Sequence, residues 1–270
     1  MNAPINIPRL TAIGSGKGGT GKTLLAVSLA HALAYCGERV LLCDADLGLS
    51  NAAVHLGLEH GGDLVNVMAG NCAVEDGIVP VLGGISARGG FDLLSAPPGS
   101  GSLANTDAAA ATRLLMILRA AHAYDRVLLD LGAGVDETTM NFASCADETL
   151  LVMTSDPAAL TDAYAFSKLL ARAAPGRTPL VLVNLATNET EAHRTFKALA
   201  ATSRAFLKSE PHHLASIPRD PKAAEAVRRQ CHLLTLYPQA PASRAIDAAA
   251  QQLHARMEVT AGPAPRAGMR

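Results

Sequence analysis

Eight residues near the N-terminus, Gly16-Lys17-Gly18-Gly19-Thr20-Gly21-Lys22-Thr23, limit the possible fold more than any other part of the chain. They match the spacing G-x-x-x-x-G-K-[ST]. An apolar run at 10–13 precedes them and reads as a buried strand; a Leu/Ala-rich stretch at 23–35 follows, reads as a helix and stops at Gly37. Strand, glycine loop and helix in that order form a phosphate-binding loop. The glycines let the backbone curl until successive N–H groups face phosphate oxygens, and the helix N-terminus adds the positive end of its dipole. Lys22 is expected to reach the β- and γ-phosphates, and the Thr23 hydroxyl to ligate Mg²⁺. Gly16, Lys17, Gly18, Gly19, Thr20, Gly21, Lys22 and Thr23 are therefore the candidate nucleotide-binding residues, with ATP or ADP and Mg²⁺ as the cofactors.

The pattern that begins with this loop continues along the chain. Short apolar runs at 39–43, 91–95, 126–130, 149–153, 180–183 and 213–217 each precede Gly, Pro, Asn, Asp or Ser. Their apolarity is near-continuous and not alternating, which suits strands covered on both faces. Helical stretches intervene at 108–121, 137–145, 158–173, 191–206 and 221–230. The expected fold class is α/β: a single-domain P-loop NTPase whose twisted, mostly parallel sheet is flanked by helices on both faces. The domain is expected over 1–258, with 259–270, rich in Pro, Ala, Gly and Arg, as a disordered tail. The Gly/Ser/Pro-rich stretches 83–90 and 96–102 read as loops around one strand. Of the 270 residues, 49% are hydrophobic and 17% charged, enough to bury a sizeable core. The formal net charge of −1 and the 3% aromatic content give no strong nucleic-acid signal. Five scattered cysteines without a CxxC give no zinc or thiol-redox motif and suit a reducing cytosol. The chain shows no apolar signal region at its start and no run near the roughly 18 residues of a membrane span.

Carboxylates follow the strands. Asp44 and Asp46, spaced i, i+2 after the second strand, leave it on the same side. Strand C-termini form the ligand crevice of an open α/β sheet. Asp44 is thus placed to hold a Mg²⁺-bound water, and Asp46 to position the attacking water near the γ-phosphate. Asp130 ends the apolar strand Val127-Leu128-Leu129. It is expected to accept from a Mg²⁺ water or from Thr23, making Thr23, Asp44 and Asp130 the metal group. Gly132 lets a backbone N–H approach the γ-phosphate. Asn184, at another strand end, carries a donor and an acceptor suited to the adenine edge, and 213–220 is expected to line the base pocket with backbone groups.

The spelling Gly-Lys-Gly-Gly-Thr-Gly-Lys-Thr resembles the deviant Walker A loop of the MinD/ParA class of ATPases, and the resemblance extends over about residues 10–255. Within that class the chain most resembles the flagellar-number regulators FlhG or FleN. The segments that carry this are 15–23, 44–51 with Leu56-Gly57-Leu58 after it, 130–134, and Thr154-Ser155-Asp156-Pro157-Ala158-Ala159-Leu160-Thr161-Asp162-Ala163-Tyr164. The resemblance implies an ATPase with Lys17, Lys22 and Asp46 as its catalytic residues, Lys17 crossing a dimer interface to the partner's nucleotide. It implies an ATP-dependent homodimer acting as a slowly hydrolysing switch over flagellar number or placement. The implied partners are FlhF, a flagellar transcription regulator or rotor-switch proteins, meeting the protein on 47–58 and 131–137. The implied location is cytoplasmic, or peripheral at the inner membrane face or cell pole.

Three features depart from that pattern. About nine residues precede the first strand, interrupted by Pro4 and Pro8, where many FlhG proteins carry an Asp-Gln-Ala helix that stimulates FlhF. Leu131 stands where the class has Thr. The C-terminal stripe Ala242, Ala245, Ile246, Ala249, Ala250, Leu253 and Met257 is mostly alanine, which reads as a helix docked on the domain, so membrane association is expected to be weak or absent. Two alternatives share the fold: a ParA-type partition ATPase, which needs a basic face for DNA, and a metabolic enzyme that uses ATP to activate a carboxylate. A nucleotide-binding scaffold without turnover is a third. An Mrp-type iron–sulfur carrier needs a C-terminal CxxC and is excluded.

Overall fold

In the computed structural model, residues 6–46, 51–96 and 108–261 are described. Strand β1 (Arg9–Ser15) runs into the glycine loop and α1 (Lys22–Tyr35), and β2 (Val40–Ala45) follows. Three short helices come next: α2 (Ala52–His55), α3 (Leu64–Ala69) and α4 (Val74–Gly77). Then come β3 (Val79–Val81), β4 (Phe91–Leu94), α5 (Ala108–Arg119), β5 (Arg126–Ala133), α6 (Glu137–Cys145), β6 (Glu148–Met153) and α7 (Pro157–Ala173). The chain continues through β7 (Leu180–Ala186), α8 (Glu189–Leu207), β8 (His212–Pro218), α9 (Pro221–Arg228), α10 (Leu233–Leu236) and α11 (Pro241–Ala261).

Among the described residues the strands form one sheet in the order β3-β4-β2-β5-β1-β6-β7-β8. All neighbours are parallel except β3, which lies antiparallel on the edge beside β4. The fold expected from the sequence is the fold observed. Successive strand residues point to opposite faces, so the inner strands feed two cores. Leu41, Cys43, Val127 and Leu129 join a cluster with α5, α6 and α7. Val40, Leu42 and Leu128 join another with α1 and α11.

α11 is docked, as its alanine stripe predicts: Ala242, Ile246, Ala249, Ala250 and Leu253 are buried against α1 and β8. A buried charge cluster at the N-terminal ends of the strands adds to this seat. The fully buried Arg126 bonds Glu38 at 2.7 Å and Glu148 at 3.2 Å, and its other nitrogen donates to the Leu253 carbonyl. α11 runs to Ala261, three residues into the segment expected as a tail; residues 262–270 lie outside the described residues, as do 47–50 of the partner surface and most of the loop expected at 96–102. Among the described residues no helix is long and apolar enough to cross a membrane.

Candidate functional site

The sheet order explains why the site forms where it does. β1 delivers the loop, and its neighbour β5 delivers Asp130 beside Ile13 of β1. On the far side of β5, Asp44 of β2 is in register with Asp130. The two carboxylates predicted from strand ends thus sit side by side at the C-terminal edge of the sheet.

The loop is braced from three directions. From β5, the Gly134 N–H donates to the Ser15 carbonyl at 2.9 Å. From α7, the backbone of Asp162 packs so closely on Gly16 that a Cβ there would overlap its carbonyl. From β7, Asn184 Nδ2 donates to the Thr20 carbonyl at 2.7 Å. Gly21, directly above that amide, has φ +81°, a left-handed conformation that favours glycine, and a Cβ would collide with Asn184 Nδ2.

Lys22 is buried, and its ammonium donates to Asp130 Oδ1 at 2.7 Å. The Thr23 hydroxyl bonds the same carboxylate. Burial pushes the Asp130 carboxyl up; the Lys22 charge and the two hydrogen bonds pull against it, and Asp46 adds to the rise. Ser15, Gly18, Gly19, Thr20, Gly21, Lys22, Thr23, Asp46 and Ala133 line a cleft of about 350 Å³, with Leu24, Asn51 and His55 completing its wall. Asp46 also lies close to Gly132, where a Cβ would come 3.7 Å from Asp46 Oδ1. The volume is at the lower end for ligand sites. The space above Gly19 is open, with no atom within 4 Å of where a Cβ would stand. Backbone amides, an ammonium, a hydroxyl and a carboxylate around such a space fit a Mg²⁺–phosphate group.

Three of the expected positions have surroundings that the sequence alone did not indicate. Asp44 is buried, and its oxygens accept from the backbone N–H groups of Asp46, Asn51 and Ala52. It pins the chain after β2 to the start of α2 and does not line the cleft. Asn184 is also buried, with the amide nitrogen meant for adenine committed to the loop. Residues 213–220 contribute nothing to the cleft lining: Asp220 caps α9 and accepts from Ala242 N, while His213 borders a separate pocket between α8 and α11.

Lys17 precedes Gly18 of the cleft lining, its side chain is 31% exposed, and its ammonium meets Asp156 Oδ2 at 3.2 Å. The Thr154 hydroxyl, donating at 2.7 Å, and then Lys17 hold the Asp156 carboxyl below the usual carboxylate range. Asp156 belongs to the Thr-Ser-Asp-Pro segment that carries the family resemblance, but sequence reasoning did not place it in the site. The adjacency of β1 and β6 brings it there. His55 was not foreseen either.

Known proteins carry the same architecture. The profile of the CobQ/CobB/MinD/ParA nucleotide binding domain matches residues 11–233. The chain is 35% identical to the antiactivator FleN of Pseudomonas aeruginosa over 246 residues, 91% of this chain and 86% of that protein. It is 28% identical to the flagellum site-determining protein YlxH of Helicobacter pylori over 267 residues, 97% of this chain and 87% of that one. Among solved structures, MinD in the MinC:MinD complex of Aquifex aeolicus matches with a TM-score of 0.73 at 28% identity, over 97% of this chain and 98% of that chain. MinD of Pyrococcus horikoshii, solved with Mg-ADP, matches with a TM-score of 0.75 at 24% identity, over 95% of this chain and 100% of that chain. With this loop, this sheet order and these relatives, the chain belongs to the MinD/ParA family of P-loop nucleotide-binding proteins, alongside FleN and YlxH.

Proposed function

We propose that this protein is an ATP-dependent dimerising switch that hydrolyses ATP slowly and regulates flagellar number or placement. The observation that carries the switch is the contrast between the two loop lysines. Lys22 is buried against Asp130 within its own subunit. Lys17, next to Gly18 of the cleft lining, makes a partly exposed ion pair with Asp156. Exposed pairs of this kind are weak, so Lys17 can exchange Asp156 for the phosphates of a second subunit. The likeness to FleN and YlxH supports the flagellar setting.

In this reading Lys22 and the loop amides hold the β- and γ-phosphates, and Thr23 with Asp130 holds the cation. A Mg²⁺ ion held there would neutralise phosphate charge. Asp46, on the cleft wall beside Gly132, orients the attacking water. Lys17 stabilises the partner's terminal phosphate as an arginine finger does, and it loses that contact after hydrolysis. Turnover is then well below the roughly 1–100 s⁻¹ of kinases. The ATP and ADP forms must differ in affinity for a target, since nothing else shifts the equilibrium. The target surface lies on 51–58 and 131–137 beside the cleft. FlhF, a flagellar transcription regulator or a rotor-switch protein is the partner, met in the cytoplasm or at the membrane's inner face.

Size-exclusion chromatography tests the mechanism. Asp46→Ala protein with ATP should elute at twice the monomer mass. Adding Lys17→Ala should return it to monomer while ATP still binds. A double variant that stays dimeric would remove Lys17 from the interface and the mechanism with it. Counting flagella in cells lacking the protein tests the setting: an unchanged number and placement would refute it.

A further inference from the structure

His55 is the last residue of α2 and stands on the wall of the nucleotide cleft with Asp46 and Asn51. No motif singles it out. Its Nδ1 is shielded from solvent, yet it has no hydrogen-bond partner. Buried ring nitrogens are nearly always paired, and one left unpaired beside a ligand cleft calls for an explanation. The packing around it does not supply one, since a Leu of similar size would fill the same space without the polar cost.

The surroundings show what the ring is suited to. The charges of Asp44 and Lys22 act on it in opposite senses, the first favouring the imidazolium and the second opposing it. Burial outweighs both and keeps the ring neutral. A neutral imidazole presents one donor and one acceptor, which lets it bond either a phosphate oxygen or a water held by a cation. α2 is also fixed in place, because Asp44 accepts from Asn51 N and Ala52 N at 2.8 and 2.9 Å. The ring is therefore carried by a segment anchored to the strand end next to Asp130, on the same wall as Asp46.

We propose that His55 is a nucleotide-discriminating residue: its imidazole completes its hydrogen bonding on the terminal-phosphate side of bound ATP, at the γ-phosphate or its hydration shell, and so favours ATP over ADP. This rests on the assignment of Asp46 to the γ-phosphate side of the cleft. The polar cost of the orphan nitrogen is then recovered only in the ATP form, and this gives the switch a state-dependent contact in addition to Lys17.

The test measures binding and stability together. The affinities of wild-type, His55→Leu and His55→Gln proteins for Mg²⁺–AMP-PNP and Mg²⁺–ADP are measured by calorimetry, and melting temperatures are taken without nucleotide. His55→Leu should weaken AMP-PNP binding about tenfold and leave ADP within about twofold, because one charge-assisted hydrogen bond is lost on one nucleotide only. Its melting temperature without nucleotide should equal or exceed that of wild type, since an unpaired polar atom has been removed. His55→Gln, which keeps an amide of similar reach, should recover part of the AMP-PNP affinity. Equal weakening of both nucleotides, or of neither, would overturn the proposal. Wild-type protein that bound neither nucleotide would refute the nucleotide assignment of the whole cleft, and His55's role would fall with it.

Discussion

Acid should destabilise this protein through His31, by an amount the structure sets. His31 lies on α1, the helix that begins at Lys22, and is only 1% exposed. Its ring stacks on Tyr35 at 4.8 Å and meets His232, which precedes α10, edge-on at 5.7 Å. Burial, and secondarily the charge His232 would carry, lowers its pKa from 6.5 to about 4. As pH falls through 6.5 the unfolded chain takes up a proton that the native protein refuses until about 4. The unfolded state therefore binds more protons in this window, and stability rises with pH across it. His31's stabilising share is complete above pH 6.5 and is lost progressively down to about 4. At about 1.36 kcal/mol per pKa unit, the full loss is about 3 kcal/mol, and the loss by pH 4.5 is about 2.5 kcal/mol. That is a large part of a typical 5–15 kcal/mol. Urea unfolding of wild type and His31→Phe at pH 7.5, 6.0, 5.0 and 4.5 isolates this share. His55, His213 and His232 are also lowered by burial, but they titrate in both proteins. The Phe ring keeps the stacking on Tyr35 and cannot take a proton. Between pH 7.5 and 4.5 wild type should lose about 2.5 kcal/mol more than the variant, a midpoint difference of ~0.8 M urea for a slope near 3 kcal/mol/M. Parallel stability curves for the two proteins would refute the reasoning, whatever their absolute offset.

Two further outcomes follow from the loop's bracing. Asp130→Asn removes the carboxylate from a buried ammonium 2.7 Å away; the nucleotide-free protein should lose about 3–5 kcal/mol in urea unfolding, and a loss under 1 kcal/mol would show that Lys22 readily finds water or another partner. Asn184→Ala removes the bond to the Thr20 carbonyl and should raise the dissociation constants for ATP and GTP together, about three- to tenfold. A loss confined to ATP would instead mean that Asn184 reads the base.

The parts legible in the sequence are those whose physics is local. The loop could be read because its glycines, lysine and threonine act within eight residues and between a strand and a helix. Asp130 could be read because it closes an apolar run of β5, near the C-terminal end of that strand. β3 was missed: it is three residues long, contains Pro80 and pairs antiparallel at the edge, so it leaves no periodicity to find. α2, α3, α4 and α10 span four to six residues, too short for a helical pattern. The surroundings of Asp44 and Asn184 depend on tertiary placement. Asp44 has the position of a metal-side carboxylate, but the return of the chain at Asn51 and Ala52 claims its oxygens. Asn184 does stand at a strand end beside the loop, as expected, yet β7 brings it beneath Thr20 and not out toward a base.

In the proposed switch Lys17 and Lys22 act on different subunits, although they lie five residues apart in one loop. Their difference in burial supports that reading. Lys22 opens α1 and is buried against Asp130 of its own chain, which suits its charge to phosphate bound in the same subunit. Lys17 precedes Gly18 and Gly19 in the loop, and its ammonium pairs with Asp156 at the start of α7. Asp156 is itself held by Thr154, so it is a fixed acceptor for the Lys17 ammonium beside the loop. An ammonium held there reversibly is suited to a second molecule's phosphate. Asp156→Ala should therefore free Lys17 without weakening nucleotide binding, and shift the ATP form toward dimer.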